Sequence, residues 1–114
     1  MSEIKYDLIV TIVNKGLAED VTAAAKKAGA QGGTVLSGRW QGIHEQAKLF
    51  RIIIEPEKDV ILTLIDKNKT DSVLDAIALA VNLDEPSKGI AFVLDVEKTA
   101  GINHPLKGYR NLND

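Results

Sequence analysis

The sequence predicts an α+β fold: a four-stranded antiparallel sheet with two helices on one face, plus a hairpin or loop excursion after the second strand. Three observations predict it. Apolar residues recur with the period of strands in some segments and of helices in others. The segments come in the order strand, helix, strand, twice over. The two halves also match each other residue by residue.

The first strand is residues 4–13, where Ile4, Tyr6, Leu8, Val10 and Ile12 alternate with Lys5, Asp7 and Thr11. After Asn14-Lys15-Gly16 the period changes, and Leu17, Val21, Ala24, Ala25 and Ala28 fall three or four apart. Glu19 and Asp20 in the first turn and Lys26 and Lys27 in the last suit the helix dipole, and Gly29 closes the helix as a left-handed cap. Gly32-Gly33-Thr34-Val35-Leu36-Ser37 is a second strand approached through glycine. Residues 48–54 and 60–65 are apolar and β-branched, and Glu55-Pro56-Glu57-Lys58-Asp59 between them marks a turn or bend. A second helix starts from Thr70 or Asp71 as its cap, with Val73, Leu74, Ile77, Ala80 and Val81 on one face. Ile90 to Val96 is the last strand.

The internal match is the most informative feature. Thr11-Ile12-Val13-Asn14-Lys15 corresponds to Thr63-Leu64-Ile65-Asp66-Lys67 at an offset of 52, kept by Val21 with Val73, Ala25 with Ile77 and Ala28 with Ala80. Gly33-Thr34-Val35 then finds Gly89-Ile90-Ala91 at an offset of 56, so the second copy carries four extra residues, within 82–88. Two βαβ units in tandem form the ferredoxin-like, split βαβ arrangement, with both helices on one face of the sheet. The other face has no helix, yet the strands are apolar at nearly every position, including Ile52 to Ile54 and Ile61. A homo-oligomer that buries this face is the expected solution.

At 114 residues the chain holds one core, which we place at 1–102 with a tail at 103–114. The absence of cysteine excludes disulfides, thiolate catalysis, iron–sulfur clusters and the common zinc-finger patterns. Fourteen basic and 16 acidic residues are interspersed, which gives no field to hold a nucleic-acid backbone. The first residues lack signal-peptide zones, and no segment reaches the roughly 20 apolar residues of a membrane span, so a soluble, cytoplasmic protein is expected.

The stretches Gly32-Gly33-Thr34-Val35 with Arg39, the long excursion from Arg39 to Glu57, and Lys88-Gly89-Ile90-Ala91-Phe92-Val93-Leu94-Asp95-Val96-Glu97-Lys98 carry a resemblance. Over residues 6 to 102 the chain resembles the PII nitrogen-regulatory and PII-like signalling family. The resemblance implies a homotrimer of ferredoxin-like subunits with small-molecule ligands in clefts between neighbours. It also implies a loop after the second strand, here 39–49 or longer, that touches a target protein. By position it implies that Gly33 and Thr34 lie at a nucleotide cleft, that Arg39 reaches towards phosphate, and that Lys88 and Gly89 form a phosphate-side loop. An adenine nucleotide is the candidate ligand, with no cofactor certain.

The chain departs from that pattern in four places. Trp40 stands where the family has glycine, and either plugs the cleft, stacks on a base or simply packs. Gly101 and Asn103 replace paired arginines, and Asp84-Glu85-Pro86-Ser87 replaces a glycine-rich phosphate loop, which predicts the loss of tight ATP binding. The excursion has no tyrosine for uridylylation.

Each candidate also has a plain reading: Arg39 as a cap on a sheet edge, Lys88 as a solvated loop lysine, Asp95 and Glu97 as the polar side of a strand. His44 and His104 are the only histidines and lack partners at metal-ligand spacing in their own segments. Ser37, Ser72 and Ser87 are not in a nucleophile-elbow context. The expectation is a regulatory module that is not an enzyme. It senses a small anionic metabolite and acts on a target protein such as a transporter or a metabolic enzyme. The alternative is a structural or metal-binding ferredoxin-like oligomer of the copper-tolerance type, without nucleotide.

Overall fold

Why the chain folds as it does is clearest from β1 (Tyr6–Asn14), whose two faces are differently employed. In the computed structural model, which describes residues 4–41, 47–49, 52–54 and 57–101, Ile9, Thr11 and Val13 on the odd-numbered face are buried. The even set, whose alternation marks the strand in the sequence, lies on the opposite face. The other strands are β2 (Thr34–Arg39), β5 (Glu57–Asp66) and β6 (Gly89–Val96), in the order β2-β5-β1-β6, every neighbouring pair antiparallel. Each helix joins two strands that are not neighbours: α1 (Ala18–Lys27) links β1 to β2 across β5, and α2 (Thr70–Ala80) links β5 to β6 across β1. This is the ferredoxin-like α+β arrangement expected from the duplicated units.

The two helices pack side by side. Val21 and Ala25 of α1 and Val73 and Ile77 of α2 close the core over Ile9, Val13, Ile61 and Ile65, with Ala30 and Val81 at its edge. The offset of 52 therefore pairs residues with the same structural duty through β1/β5 and most of α1/α2. It slips by one at the helix ends, where Val81 is buried and Ala80 exposed. Gly29, at φ +122, ends α1 with Ala30 N donating to Ala25 O (2.9 Å) and Gly29 N to Lys26 O (3.1 Å). Asn82, at φ +56, ends α2 in the same manner, with Leu83 N donating to Ala78 O (2.9 Å). Residues 82–88 are thus partly a helix cap and not only an insertion.

Several boundaries differ from the sequence reading. β5 starts at Glu57, because Arg39↔Glu57, Gly38↔Lys58 and Ser37↔Asp59 continue the ladder into what looks like a polar turn. Ladder bonds are made by backbone, so charged side chains do not end a strand whose charges find partners. The excursion expected after the second strand contains a hairpin: β3 (Ala47–Leu49) and β4 (Ile52–Ile54) pair antiparallel, Leu49↔Ile52 and Ala47↔Ile54, and so divide the apolar run 48–54. The sequence carries no glycine or proline there to signal the reversal; Phe50 and Arg51 lie outside the described residues. Thr70 does not cap α2, since a 3₁₀ turn (Lys67–Lys69) precedes the helix and the Thr70 hydroxyl is drawn instead to the carboxylate of Asp7.

The face away from the helices is continuous and apolar. Ladder register places Leu36, Val60, Ile12 and Ile90 in one row across four strands, Thr34, Leu62, Val10 and Phe92 in the next, and Leu64, Leu8 and Leu94 in a third. Ile90 and Leu94 stand 47% and 49% exposed, far more than strand residues of a core.

Candidate functional site

Arg39 is the last residue of β2 and Glu57 the first of β5, and they face each other in the ladder, so together they form the neck of the excursion. Lys15 joins them from the β1–α1 turn. Its Nζ donates to Glu57 Oε1 at 2.8 Å and its backbone N to Glu57 O at 3.3 Å. On the other side Lys58 Nζ donates to Asn14 Oδ1 at 2.7 Å. Lys15, Ser37, Gly38, Arg39, Glu57 and Lys58 line an open cleft of about 360 Å³.

Among the described residues the cleft holds three cations and one carboxylate, an arrangement that attracts anions. The Lys15 ammonium holds the Glu57 carboxyl below the usual glutamate range, with a smaller contribution from the charge of Arg39, and Glu57 in turn raises Lys15. Asp59, next along β5, is engaged elsewhere: its Oδ2 accepts from Gly16 N at 2.9 Å and Ala18 N at 3.2 Å, and so caps the start of α1.

The opposite end of the sheet carries the reverse pattern. Lys67 lies between the carboxylates of Asp7 on β1 and Asp95 on β6, the latter at 2.6 Å, and Thr70 Oγ1 donates to Asp7 Oδ2 at 2.8 Å. Hydrogen bonds from Lys67 and Thr70 lower the Asp7 carboxyl despite its burial, and Asp7 and Asp95 raise Lys67. This cluster is internally satisfied. Among the described residues no group of three or more His, Cys, Asp or Glu side chains could hold a metal; His44 and His104 lie outside the described residues.

Of the residues singled out in the sequence, Arg39 falls in the cleft, and the partly exposed Trp40 follows it directly. Gly33 and Thr34 lie at the start of β2, while Lys88 and Gly89 lie at the start of β6. β2 and β6 are the two outer strands, with β5 and β1 between them, so roughly 14 Å of sheet separates these groups within one chain. A single chain does not bring them together. The two glycines have a packing cause of their own. A Cβ at Gly89, where φ is +140, would stand 2.5 Å from Ile12 O, and one at Gly33 would meet Ile61 Cγ2 and Leu62 O at 3.2 Å.

Lys15, Glu57 and Lys58 escape the sequence reading because Lys15 and Glu57 are 42 residues apart and the latter two sit in an apparent turn. The one available signal is the internal match of Lys15 with Lys67, which pair with Glu57 at one end of the sheet and with Asp7 and Asp95 at the other. Asn103 and the tail, with Leu106 and Tyr109, lie outside the described residues.

The family model described as nitrogen regulatory protein P-II matches residues 6–104. The chain belongs to the P-II family. Among solved structures, PII of Arabidopsis thaliana bound to citrate is 26% identical, with a TM-score of 0.60 over 82% of this chain and 79% of that one. GlnK of B. subtilis in complex with ATP is 16% identical, with a TM-score of 0.63 over 82% of this chain and 85% of that one, and shows the shared fold. No curated protein matches the chain. Its place among P-II proteins makes it one of a family of small-metabolite-sensing regulators, and the neck of its excursion is where the cationic cleft lies.

Proposed function

We propose that this P-II protein is a regulator that senses a small anionic metabolite and signals through the excursion from Arg39 to Leu49 to a target protein. The observation that carries the reading is the cleft of Lys15, Arg39 and Lys58 at the neck of that excursion. An anion bound there touches the last residue of β2 and the start of β5, and so biases which arrangement of the intervening segment is populated. The citrate of the 26% identical Arabidopsis protein supports a carboxylate-bearing ligand. An adenine nucleotide is the second candidate.

The working unit in this reading is a homotrimer. In its favour stands the apolar sheet face, which in water forgoes roughly 25 cal/mol for every Å² left unburied. Assembly also offers a way to bring Thr34 on one edge of a sheet near Lys88 and Gly89 on the opposite edge of another. The target, a transporter or a metabolic enzyme, is recognised through the excursion. The protein acts in the cytoplasm by binding and not by catalysis.

A thermal-shift screen tests the reading, because a ligand that binds only the folded state raises apparent stability by mass action. ATP, ADP, AMP, cyclic dinucleotides, 2-oxoglutarate, citrate, bicarbonate and divalent metals are compared. Stabilisation by an anion, diminished in Arg39→Ala, is the expected result; stabilisation by a metal alone would contradict it.

A further inference from the structure

The carboxylate that lines the cationic cleft belongs to the chain itself. Glu57 Oε1 stands 2.8 Å from Lys15 Nζ, and Glu57 lies directly opposite Arg39 in the ladder. Both ends of the pair are well exposed, 69% for the Lys15 side chain and 59% for that of Glu57. A carboxylate so placed offers Lys15 the contact that an incoming anion would offer. We infer that Glu57 is a tethered internal competitor, an autoinhibitory contact that a ligand must displace from Lys15 to occupy the cleft.

The inference rests on the anion-sensing reading and adds to it how the site is regulated. Displacement has a direct mechanical consequence. Glu57 is the first residue of β5, and its backbone O also accepts from Lys15 N. When a ligand takes over Lys15, the side-chain half of this double attachment is lost while the backbone half persists. Glu57 is then held to Lys15 by one contact instead of two. The excursion gains freedom where it meets the sheet, and ligand occupancy becomes legible at the neck. The low strength of an exposed ion pair is what such a latch requires, since a strong pair would shut the cleft. Pairs of this exposure shift an equilibrium by about two- to fivefold.

Calorimetric titration of the full chain with citrate and with inorganic phosphate tests this, using wild type, Glu57→Gln and Lys15→Gln. Gln keeps the size and hydrogen-bonding reach of Glu57 and removes its charge, and circular dichroism melting checks that each variant is folded. The inference predicts that Glu57→Gln binds one of these anions about two- to fivefold more tightly than wild type and that Lys15→Gln binds it more weakly. Wild-type binding with unchanged or weaker affinity in Glu57→Gln overturns the competitor role and leaves the sensing reading intact. Absence of binding to all three folded proteins overturns both. Hydrogen exchange gives a second readout: amides of residues 57–59 exchange faster in Glu57→Gln than in wild type without ligand, and equal protection there would count against the latch.

Discussion

Asp7 and Asp59, 52 residues apart, occupy the same place in the two halves of the fold, and each serves the helix that follows the other's strand. Asp59 on β5 accepts the backbone N–H groups of Gly16 and Ala18 at the start of α1, which follows β1. Asp7 on β1 accepts the Thr70 hydroxyl at the start of α2, which follows β5. The duplicated units are thus locked together by reciprocal carboxylates as well as by the shared core. Asp59→Ala should cost about 1 kcal/mol, as for other lost helix caps, read as a lower midpoint in urea unfolding.

Asp7 makes stability depend on acid. Folding lowers its carboxyl, through hydrogen bonds from Lys67 and then Thr70, so its contribution is complete above the ordinary aspartate value of about 4 and fades as pH falls through the lower folded value. Asp7→Asn should destabilise the protein at pH 7 by about 2 kcal/mol and flatten the acid limb of its stability curve. An acid limb equally steep in the variant would assign it to other carboxylates.

Thr11 and Thr63 repeat the duplication in a different way, since both side-chain hydroxyls are buried in the core without a hydrogen-bond partner. An unpaired buried hydroxyl costs about 1 kcal/mol or more, and valine has nearly the same shape. Thr11→Val and Thr63→Val should each raise the melting temperature, by about 4 °C per kcal/mol gained in a chain of this size.

Glycine positions separate packing from flexibility. Gly89→Ala places a methyl group 2.5 Å from Ile12 O at a φ of +140, and should destabilise by about 3 kcal/mol or prevent folding. Gly32→Ala meets nothing within 4 Å and should be neutral or slightly stabilising in the same thermal melt.

The apolar sheet face predicts assembly. Phe92→Asp and Leu94→Asp place charge in the second and third rows of that face, on a strand that packs no helix residue there. Light scattering should show wild type as a trimer and the double variant as a smaller species.

Much of this fold is legible in the sequence because its determinants are periodic and repeated. The offset of 52 finds both strand–helix units, and Gly29 announces its own left-handed cap. The same cap at Asn82 is hidden, since asparagine in a polar stretch carries no comparable mark. Arg39 stands out by its place at the end of a strand, and the structure sets it in the cleft. Its companions Lys15, Glu57 and Lys58 do not, because what makes them a site is the β1–β5–β2 ladder, which joins residues 42 apart. The hairpin or loop expected after the second strand is there as β3 and β4, but the apolar run 48–54 carries no glycine or proline to mark where its two strands divide.

The most direct test of anion sensing at the neck of the excursion is isothermal titration of citrate and of ATP into wild type and Arg39→Ala, with oligomeric mass measured in parallel. Saturable binding of at least one of them to wild type is expected, and at least about tenfold weaker binding to Arg39→Ala at unchanged mass, because a charge-assisted contact is lost. Undiminished affinity in Arg39→Ala would place the ligand elsewhere and contradict anion sensing at the neck.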